Sequence, residues 1–235
     1  MATQKAHLII LPGSMCDRWA YAPQIEALSV DHEIRVPHLL EVASLESMAE
    51  RVLSDGPPRF ALVGHGMGGR VALEVIRRAP ERVTALGLIG TTVHPVREGE
   101  AARRQTQIDL AYQSGMAALA AAWLPRVLHP SRLQDATLME GLVQMYGRFT
   151  PEEYEREVRA LLQRPDARSV VGQIVCRTLV LSGREDPLCT PEQSEALAAQ
   201  IPGALRALID ECAHFPTVEQ PQAVTPWLTR LLRPG

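Results

Sequence analysis

Residues 60–69 read FALVGHGMGG, and this stretch decides the fold. An apolar run rich in Leu and Val passes directly into a glycine-rich turn at residues 64–69 and then into a helical pattern that continues to Ala79. Short apolar runs bounded by glycine are typical of strands buried in a parallel sheet. The stretch therefore predicts a strand, a tight turn and a helix in direct succession.

Two interpretations of this turn compete. The first is a nucleophile elbow, G-x-S-x-G, in which strand and helix approach so closely that only small residues fit beside the nucleophile. Gly64 and Gly68 occupy the small positions, and Gly66 stands at the nucleophile position. The second is a dinucleotide-binding loop, because residues 64–69 also match G-x-G-x-x-G. It is disfavoured because such a loop needs an acidic residue at the end of the next strand, and Glu81 precedes that strand.

Composition and charge exclude several classes of protein. Apolar residues make up 46% and charged residues 22% of the chain, which excludes disorder, collagen and coiled coil. The formal net charge of −3 leaves no basic field to hold nucleic acid or an anionic membrane. The apolar stretch after His7 is too short for a signal peptide, so we expect a cytoplasmic protein. The four cysteines form no C-x-x-C pair, and neither a metal nor an organic cofactor is expected.

Strand patterns alternate with helical patterns along the chain. This alternation predicts an α/β fold, with a mostly parallel sheet flanked by helices and right-handed crossovers. Predicted strands cover residues 7–11, 33–36, 60–64, 85–90, 178–182 and 205–210. Predicted helices cover residues 17–28, 44–53, 67–79, 193–200 and 223–232.

One connection between strands is far longer than a crossover requires. It spans residues 92–177, whereas a parallel crossover needs only a dozen or so residues. We interpret residues 92–177 as a helical cap inserted into a core made of residues 1–91 and 178–235, and a plain helical decoration of the sheet is the alternative. Helical patterns fill the cap at residues 98–113, 116–128, 132–148 and 152–163.

Two later strands each end in a turn that presents a titratable side chain. Asp186 follows the fifth predicted strand, and His214 follows the sixth. Because the carboxyl ends of parallel strands share one edge of the sheet, both side chains are expected near Gly66. A histidine there takes the proton of a nucleophile, and a carboxylate fixes its tautomer and stabilises its cation. Glu185 is the alternative acid, but the pattern of the turn favours Asp186.

Four motifs together resemble the α/β-hydrolase superfamily, and in particular a bacterial esterase-like subgroup. They are residues 11–17, LPGSMCD, like its LPG-x-x-CD opening; residues 64–69, like its GHSMGG elbow; residues 183–186, like its acid turn; and residues 214–221, like its histidine loop. The resemblance covers nearly the whole chain. It implies the α/β-hydrolase fold, with Asp186 and His214 as catalytic partners of the elbow.

The resemblance also implies an oxyanion hole. Backbone N–H groups of Ser14 and Met67 would point at the negative charge that develops in the transition state. Each such donor is typically worth about 2.7–4 kcal/mol. The sequence does not fix which residue of the turn at 13–15 donates.

The substrate pocket gives weaker signals. Met15 lies in the oxyanion turn, and His94 follows a strand at the carboxyl edge of the sheet. Trp123 and Met145 are bulky apolar residues of the predicted cap. We expect these four residues to contact substrate, with core packing or a solvated loop as the alternative. The arginines within residues 97–104 are interpreted as a solvated helix face.

The sequence departs from the subgroup at the nucleophile, where Gly66 stands in place of serine. Glycine has no side chain, so no acyl-enzyme can form there. Three explanations stay open: a serine hydrolase inactivated so that it traps substrate, a ligand-binding protein on a hydrolase scaffold, or a cofactor-free lyase or oxygenase in which His214 and Asp186 act alone.

Because one position alone is altered, we favour the first explanation. The predicted function is cleavage of a small apolar carboxylic ester or lactone by Ser–His–Asp acyl transfer, with this chain nearly inactive because of Gly66. The expected partner is that small molecule, with no nucleic acid, membrane or metal. The sequence does not predict an oligomeric state.

Overall fold

Six short strands form one parallel sheet in the computed structural model of the chain, which describes residues 5–233. They are β1 (Ala6–Leu11), β2 (His32–Arg35), β3 (Phe60–His65), β4 (Val83–Ile89), β5 (Arg177–Gly183) and β6 (Leu205–Ile209). Their spatial order is β2-β1-β3-β4-β5-β6, and every neighbouring pair is parallel. The predicted parallel sheet is confirmed, while residues 1–4 and 234–235 of the predicted core lie outside the described residues.

Apolar side chains cover both faces of the sheet. Along β1, Leu8 and Ile10 belong to one buried cluster, while Ile9 and Leu11 belong to another on the opposite face. All six residues of β3 are buried. Strands covered on both faces read as continuous apolar runs, which explains why the sequence marks them so clearly.

Helices pack on both faces of this sheet. Helices α1 and α10 contribute to the first cluster, and α2 and α3 to the second. The α-helices are α1 (Ala22–Leu28), α2 (Leu45–Asp55), α3 (Met67–Arg78), α4 (Glu100–Trp123), α5 (Ala136–Tyr146), α6 (Pro151–Leu162), α7 (Arg168–Val171), α8 (Pro191–Ala199), α9 (Pro216–Glu219) and α10 (Pro221–Leu232). None of the helices within residues 5–233 has the length and apolar character that crossing a membrane requires.

Two predicted helices begin differently in the structure. The helix predicted at 17–28 opens with a 3-10 turn at Arg18–Tyr21, because the Asp17 side chain accepts a backbone N–H of that turn. Within the helix predicted at 132–148, Asp135 has extended backbone angles and its side chain caps α5. A short polar side chain that bonds the local backbone ends one helical segment and starts the next.

The first two predicted cap helices, at residues 98–113 and 116–128, correspond to the two halves of α4, which are separated by a kink at Gly115. The second half ends at Trp123, earlier than predicted. The backbone of Gly115 has φ +83° and ψ 169°, a conformation that glycine adopts without a steric penalty. A short 3-10 turn, Leu124–Arg126, follows the helix.

The segment predicted as the cap contains α4 to α7. Helix α4 packs against both α5 and α6. The cap also meets the core at the histidine loop, where the His214 N–H donates to the Val127 carbonyl at 2.9 Å. The description of residues 92–177 as a unit separate from the core stays a proposal.

The topology fixes where a ligand can approach the sheet. Strand β1 lies between β2 and β3, so the direction of winding reverses beside β1. In open parallel sheets, ligands bind at the carboxyl ends of the strands beside such a reversal. The loops after β1, β3 and β4 meet at this edge, and the Gly66 N–H donates to the Ile89 carbonyl at 2.9 Å.

Candidate active site

The turn between β3 and α3 contains one residue, Gly66. Its backbone has φ +52° and ψ −110°, and its carbonyl accepts the Arg70 N–H at 3.2 Å, inside the first turn of α3. Residues with a side chain rarely adopt a positive φ, so any residue other than glycine would have a strained backbone at this position. Position 66 lies at the start of α3, where the first backbone N–H groups have no partner within the helix.

The neighbouring glycines allow the close approach of helix and strands. A Cβ added to Gly64 would lie 2.5 Å from the Gly68 carbonyl oxygen. One added to Gly68 would lie 2.0 Å from the Leu11 carbonyl oxygen. These contacts are too short for any side chain, so the small residues expected of an elbow are required here by the backbone itself.

Asp186 and His214 form a hydrogen-bonded pair beside this turn. The His214 Nδ1–H donates to Asp186 Oδ2 at 2.9 Å. The other oxygen of Asp186 accepts the N–H groups of Leu188 at 2.8 Å and Cys189 at 3.0 Å. These three hydrogen bonds hold the buried carboxylate in one orientation. Because Nδ1 of His214 is bonded to Asp186, its Nε2 is free to face the turn.

The distance from Gly66 to His214 decides what the arrangement can do. A Cβ built on Gly66 would lie 3.5 Å from His214 Nε2. The hydroxyl of a serine extends one bond beyond Cβ, so it could reach hydrogen-bonding distance of that nitrogen. The turn at Gly66, His214 and Asp186 therefore converge, and Gly66 contributes no hydroxyl to the arrangement.

The contact between Asp186 and His214 sets the charge of both. Burial alone would lower the pKa of His214, but the adjacent Asp186 carboxylate and, further away, Glu219 raise it above its ordinary value. Burial alone would raise the pKa of Asp186, but the charge and hydrogen bond of His214 and two backbone N–H groups lower it. The pair is a carboxylate beside an imidazole of increased basicity, which suits a general base.

Glu185, the alternative acid, makes different contacts. Its carboxylate accepts the Cys212 N–H at 3.0 Å, and its own N–H donates to the Cys212 carbonyl at 3.0 Å. These bonds join the acid turn to the histidine loop. The hydrogen bond to His214 belongs to Asp186.

His65 supports His214 from behind. Its Nε2–H donates to the His214 carbonyl at 2.7 Å, and the two rings lie 4.8 Å apart. Burial and the neighbouring His214 lower the pKa of His65 to about 3. A neutral His65 thus donates at all physiological pH values and orients the histidine loop.

Glu219 is a second support that sequence reasoning missed. Its buried carboxylate accepts the N–H groups on either side of His214, from Ala213 at 3.2 Å and from Phe215 at 2.8 Å. It also accepts the His129 N–H of the cap at 2.8 Å. The residue lies in the motif at 214–221, but its spacing alone carried no signal of this bracing contact.

The turn after β1 has one backbone donor that is free to act. The Cys16 N–H donates to the Gly13 carbonyl at 3.1 Å, and the Met15 N–H donates to Glu157 Oε2 at 2.9 Å. Within residues 5–233, the Ser14 and Met67 N–H groups donate to no protein acceptor. Ser14 rather than Met15 is therefore the donor available from this turn.

A cavity of ≈ 900 Å³ lies between these loops and the cap. Gly66 and His214 line it, as do three of the four residues expected to contact substrate. Those three are Met15, His94 and Trp123. The imidazole Nδ1 of His94 lies 2.8 Å from the Pro95 carbonyl oxygen, and burial lowers the pKa of this histidine.

Met145 does not line the cavity, contrary to the expectation from the sequence. It is fully buried in the apolar cluster of the cap, while its neighbour Tyr146 lines the cavity. Successive residues of a helix point about 100° apart, so one faces the cavity when the next does not. The Tyr146 hydroxyl is buried and has no hydrogen-bond partner within residues 5–233.

Arginines form much of the cavity wall. Arg97 and Arg103 are also exposed to solvent, as the sequence predicted for the arginines of residues 97–104, while Arg104 is half-buried. Arg104 and the buried Arg164 both bond Glu100, and these hydrogen bonds outweigh burial and lower the pKa of that carboxyl to about 2. Of the arginines that line the cavity, those without an ion pair in the described part of the chain are Arg70, Arg97, Arg103 and Arg126. Arg70 donates instead to the carbonyls of Thr92 and Pro165. In all, six arginines face two carboxylates, Glu100 and Asp109.

Among residues 5–233, no three His, Cys, Asp or Glu side chains cluster so that they could hold a metal ion. The four cysteines are free thiols, and three of them are buried.

Known proteins share this architecture. A pimeloyl-[acyl-carrier protein] methyl ester esterase of Photobacterium profundum is 27% identical over 191 residues, which cover 79% of this chain and 75% of that protein. A 3-oxoadipate enol-lactonase of Acinetobacter baylyi is 26% identical over 167 residues, 71% of this chain and 61% of that protein. The structure of a thermophilic esterase from Thermogutta terrifontis, with malate bound, superposes with a TM-score of 0.85 and 26% identity over 98% of this chain and 92% of that one.

The sequence profile of the Alpha/beta hydrolase family matches residues 8–227. Its match runs from the first strand of the sheet into the last helix and includes the elbow turn and the Asp186–His214 pair. The chain therefore belongs to the α/β-hydrolase family.

Proposed function

We propose that this scaffold cleaves a short carboxylic ester or lactone by acyl transfer, and that Gly66 leaves the present chain able to bind substrate but unable to form the acyl-enzyme. One observation carries the proposal: a Cβ at position 66 would lie 3.5 Å from His214 Nε2, while Nδ1 of the same ring bonds Asp186. The relatives that are esterases and lactonases support the same reaction class.

The proposed mechanism follows from the contacts around position 66. A serine hydroxyl there would give its proton to His214 Nε2 as its oxygen attacks the substrate carbonyl. The Ser14 and Met67 N–H groups would stabilise the oxyanion, and the imidazolium would return the proton to the leaving alcohol. Water, deprotonated by the same imidazole, would then cleave the acyl-enzyme and release the acid.

The walls of the cavity narrow the class of substrate. Leu110, Leu119 and Trp123 supply apolar surface, which suits the acyl chain predicted from the sequence. The unpaired Arg97 and Arg103 add positive charge, although the chain as a whole carries −3. A positively charged cleft concentrates anionic ligands. We therefore propose that the acyl group of the substrate ends in a carboxylate or a similar anion.

Two similar proteins are associated with dicarboxylates, which supports an anionic acyl group. The lactonase acts on an enol-lactone of 3-oxoadipate, a dicarboxylate, and the thermophilic esterase was solved with malate, also a dicarboxylate. The similarity to these proteins supports the proposal of an anionic substrate. The arginines of the cavity wall support it independently.

The first prediction concerns the missing hydroxyl. We expect Gly66→Ser to raise hydrolysis of 4-nitrophenyl butyrate by roughly 10⁴-fold or more, since loss of the nucleophile in a comparable triad costs on the order of 10⁶ in turnover. The measurement is release of 4-nitrophenol by the variant beside the unmodified chain. Adding His214→Ala to Gly66→Ser should remove the gain.

Gly66→Ala is the matched control. It adds a Cβ at the same positive φ without a hydroxyl, so both variants should lose about 1–3 kcal/mol of stability while only serine restores activity. Folded but inert Gly66→Ser on a panel of esters and lactones would favour the ligand-binding explanation. Hydrolysis by the unmodified chain that His214→Ala abolishes would favour the explanation in which histidine and aspartate act alone.

The second prediction concerns pH. His214 must be neutral to accept a proton, and Asp186 raises its pKa above the ordinary value of about 6.5. In the Gly66→Ser background, kcat/KM should therefore fall as pH drops through a midpoint above about 6.5. Asp186→Asn removes the anion, so burial should shift this midpoint lower, and the plateau should fall by about 10⁴-fold.

Glu185→Gln is the control for the pH profile. It removes the adjacent carboxylate but leaves the bond between Asp186 and His214 in place. The midpoint should then stay where it is in the Gly66→Ser background. A midpoint that moves with Glu185 and ignores Asp186 would reverse the assignment of the acid.

The third prediction concerns the charge of the substrate. In the Gly66→Ser background, the 4-nitrophenyl monoester of a short dicarboxylic acid should be cleaved with a higher kcat/KM than the neutral ester of equal chain length. Replacing Arg97 and Arg103 by glutamine should lower kcat/KM for the anionic ester about tenfold and leave the neutral ester unchanged. High salt should have the same selective effect.

Arg18→Gln is the control, because Arg18 is exposed and lies outside the cavity wall. It removes the same charge from the surface and should affect neither ester. Equal losses on both esters in the double variant, or a preference for the neutral ester before mutation, would refute an anionic substrate.

A further inference from the structure

A buried carboxylate of the cap holds the turn that contains the oxyanion donor. Glu157 lies on α6 and is 3% exposed. One of its oxygens, Oε2, accepts the Ser14 hydroxyl at 2.6 Å and the Met15 N–H at 2.9 Å. Two donors from adjacent residues meeting one buried oxygen make a clamp on the turn rather than an incidental contact.

The turn at residues 13–16 contains an unfavourable backbone conformation at Met15. Met15 has φ +55°, which non-glycine residues rarely adopt, and the Cys16 N–H closes the turn on the Gly13 carbonyl at 3.1 Å. The bond to Glu157 fixes the direction of the peptide between Ser14 and Met15. Once that N–H is occupied, the Ser14 N–H is the donor left to face the cavity.

A buried environment disfavours an acidic side chain such as that of Glu157. Burial raises the pKa of Glu157 to about 7, despite the hydrogen bonds from Ser14 and Met15 that lower it. An apolar residue would suit the buried face of α6, which Tyr154, Val158 and Leu161 otherwise form. A charged side chain that burial disfavours at this position is explained if the turn depends on it.

We infer that Glu157 is a positioning residue for the oxyanion hole: its carboxylate holds the turn at residues 13–16 so that the Ser14 N–H faces the carbonyl attacked from position 66. The inference rests on the proposed acyl transfer. Because Glu157 lies in the cap and Ser14 in the core, the placement of α6 would also set the geometry of the oxyanion donor.

The kinetic test compares kcat with KM. In the Gly66→Ser background, Glu157→Leu keeps roughly the size of the side chain and removes the acceptor of both donors, whereas glutamine could still accept both through its amide oxygen. We expect kcat to fall roughly 10–100-fold with KM within about threefold, because a donor displaced by about 1 Å loses most of its effect on the transition state. Affinity for an alkyl boronic acid, which forms a tetrahedral adduct on serine, should fall by the same factor as kcat/KM.

Glu153→Gln is the matched control on the same helix. Glu153 bonds the Thr150 N–H in the capping box of α6 and makes no contact with the turn. Glutamine preserves such a box, so kcat and boronate affinity should not change. Equal effects of the two substitutions, or a loss in Glu157→Leu confined to KM, would overturn the inference.

A second measurement does not depend on activity. With Gly66 unchanged, amide hydrogen exchange of Met15 should accelerate in Glu157→Leu and stay unchanged in Glu153→Gln. Unchanged protection of Met15 would overturn the inference even if the enzyme assay were silent. An inert Gly66→Ser with Met15 protection lost would instead refute the proposed function and leave the clamp standing.

One further result would replace the inference with another. If the unmodified chain hydrolyses esters and Ser14→Ala abolishes that activity, the Ser14 hydroxyl is itself a nucleophile with Glu157 as its base. Under the inference, Ser14→Ala in the Gly66→Ser background keeps the N–H and one of the two bonds to Glu157, and therefore costs less than Glu157→Leu, which removes both.

Discussion

The close approach of α3 to β3 and β1 is the constraint on which the site depends. No Cβ fits at Gly64 or Gly68, since either would lie within 2.5 Å of a backbone oxygen. This contact forces the turn at Gly66 and brings the first N–H groups of α3 to the carboxyl edge of the sheet. With that edge fixed, the strand order places the loops after β5 and β6 beside it, so Asp186 and His214 reach the turn.

Two buried carboxylates fix the conformations of the histidine loop and of the turn after β1, which lie outside the hydrogen-bonded sheet. Glu219 accepts the N–H groups on both sides of His214, and Glu157 accepts the donors of the turn at Ser14 and Met15. Loops carry exposed backbone donors, and a buried acceptor that meets two of them fixes a conformation that packing alone would leave free. Both carboxylates also connect core and cap, Glu157 by its position on α6 and Glu219 through the His129 N–H. The geometry of the site is thereby tied to the placement of the cap.

Local signals allowed much of the fold to be predicted from the sequence. Buried parallel strands are apolar throughout, and Asp186 and His214 were found because they directly follow such strands. The contents of the cavity were harder to predict. Helical periodicity identified the cap helices but not their rotation, so Met145 was expected in the cavity where Tyr146 lies. Similarly, the sequence marks Arg103 and Arg104 as polar positions of a helix but does not show that they border the cavity. Glu157 is the one acid among the buried residues of α6, and this break in the apolar pattern is the signal that could single it out.

The central claim is that the site is complete except for one hydroxyl. Intact-mass spectrometry after exposure to an alkyl fluorophosphonate tests it most directly, because the reagent needs a nucleophile activated by histidine and an oxyanion hole. The account predicts one phosphonyl group per chain on Gly66→Ser, none on the unmodified chain, and none when His214→Ala is added. A folded Gly66→Ser that stays unlabelled, or an unmodified chain labelled to the same extent, would contradict it.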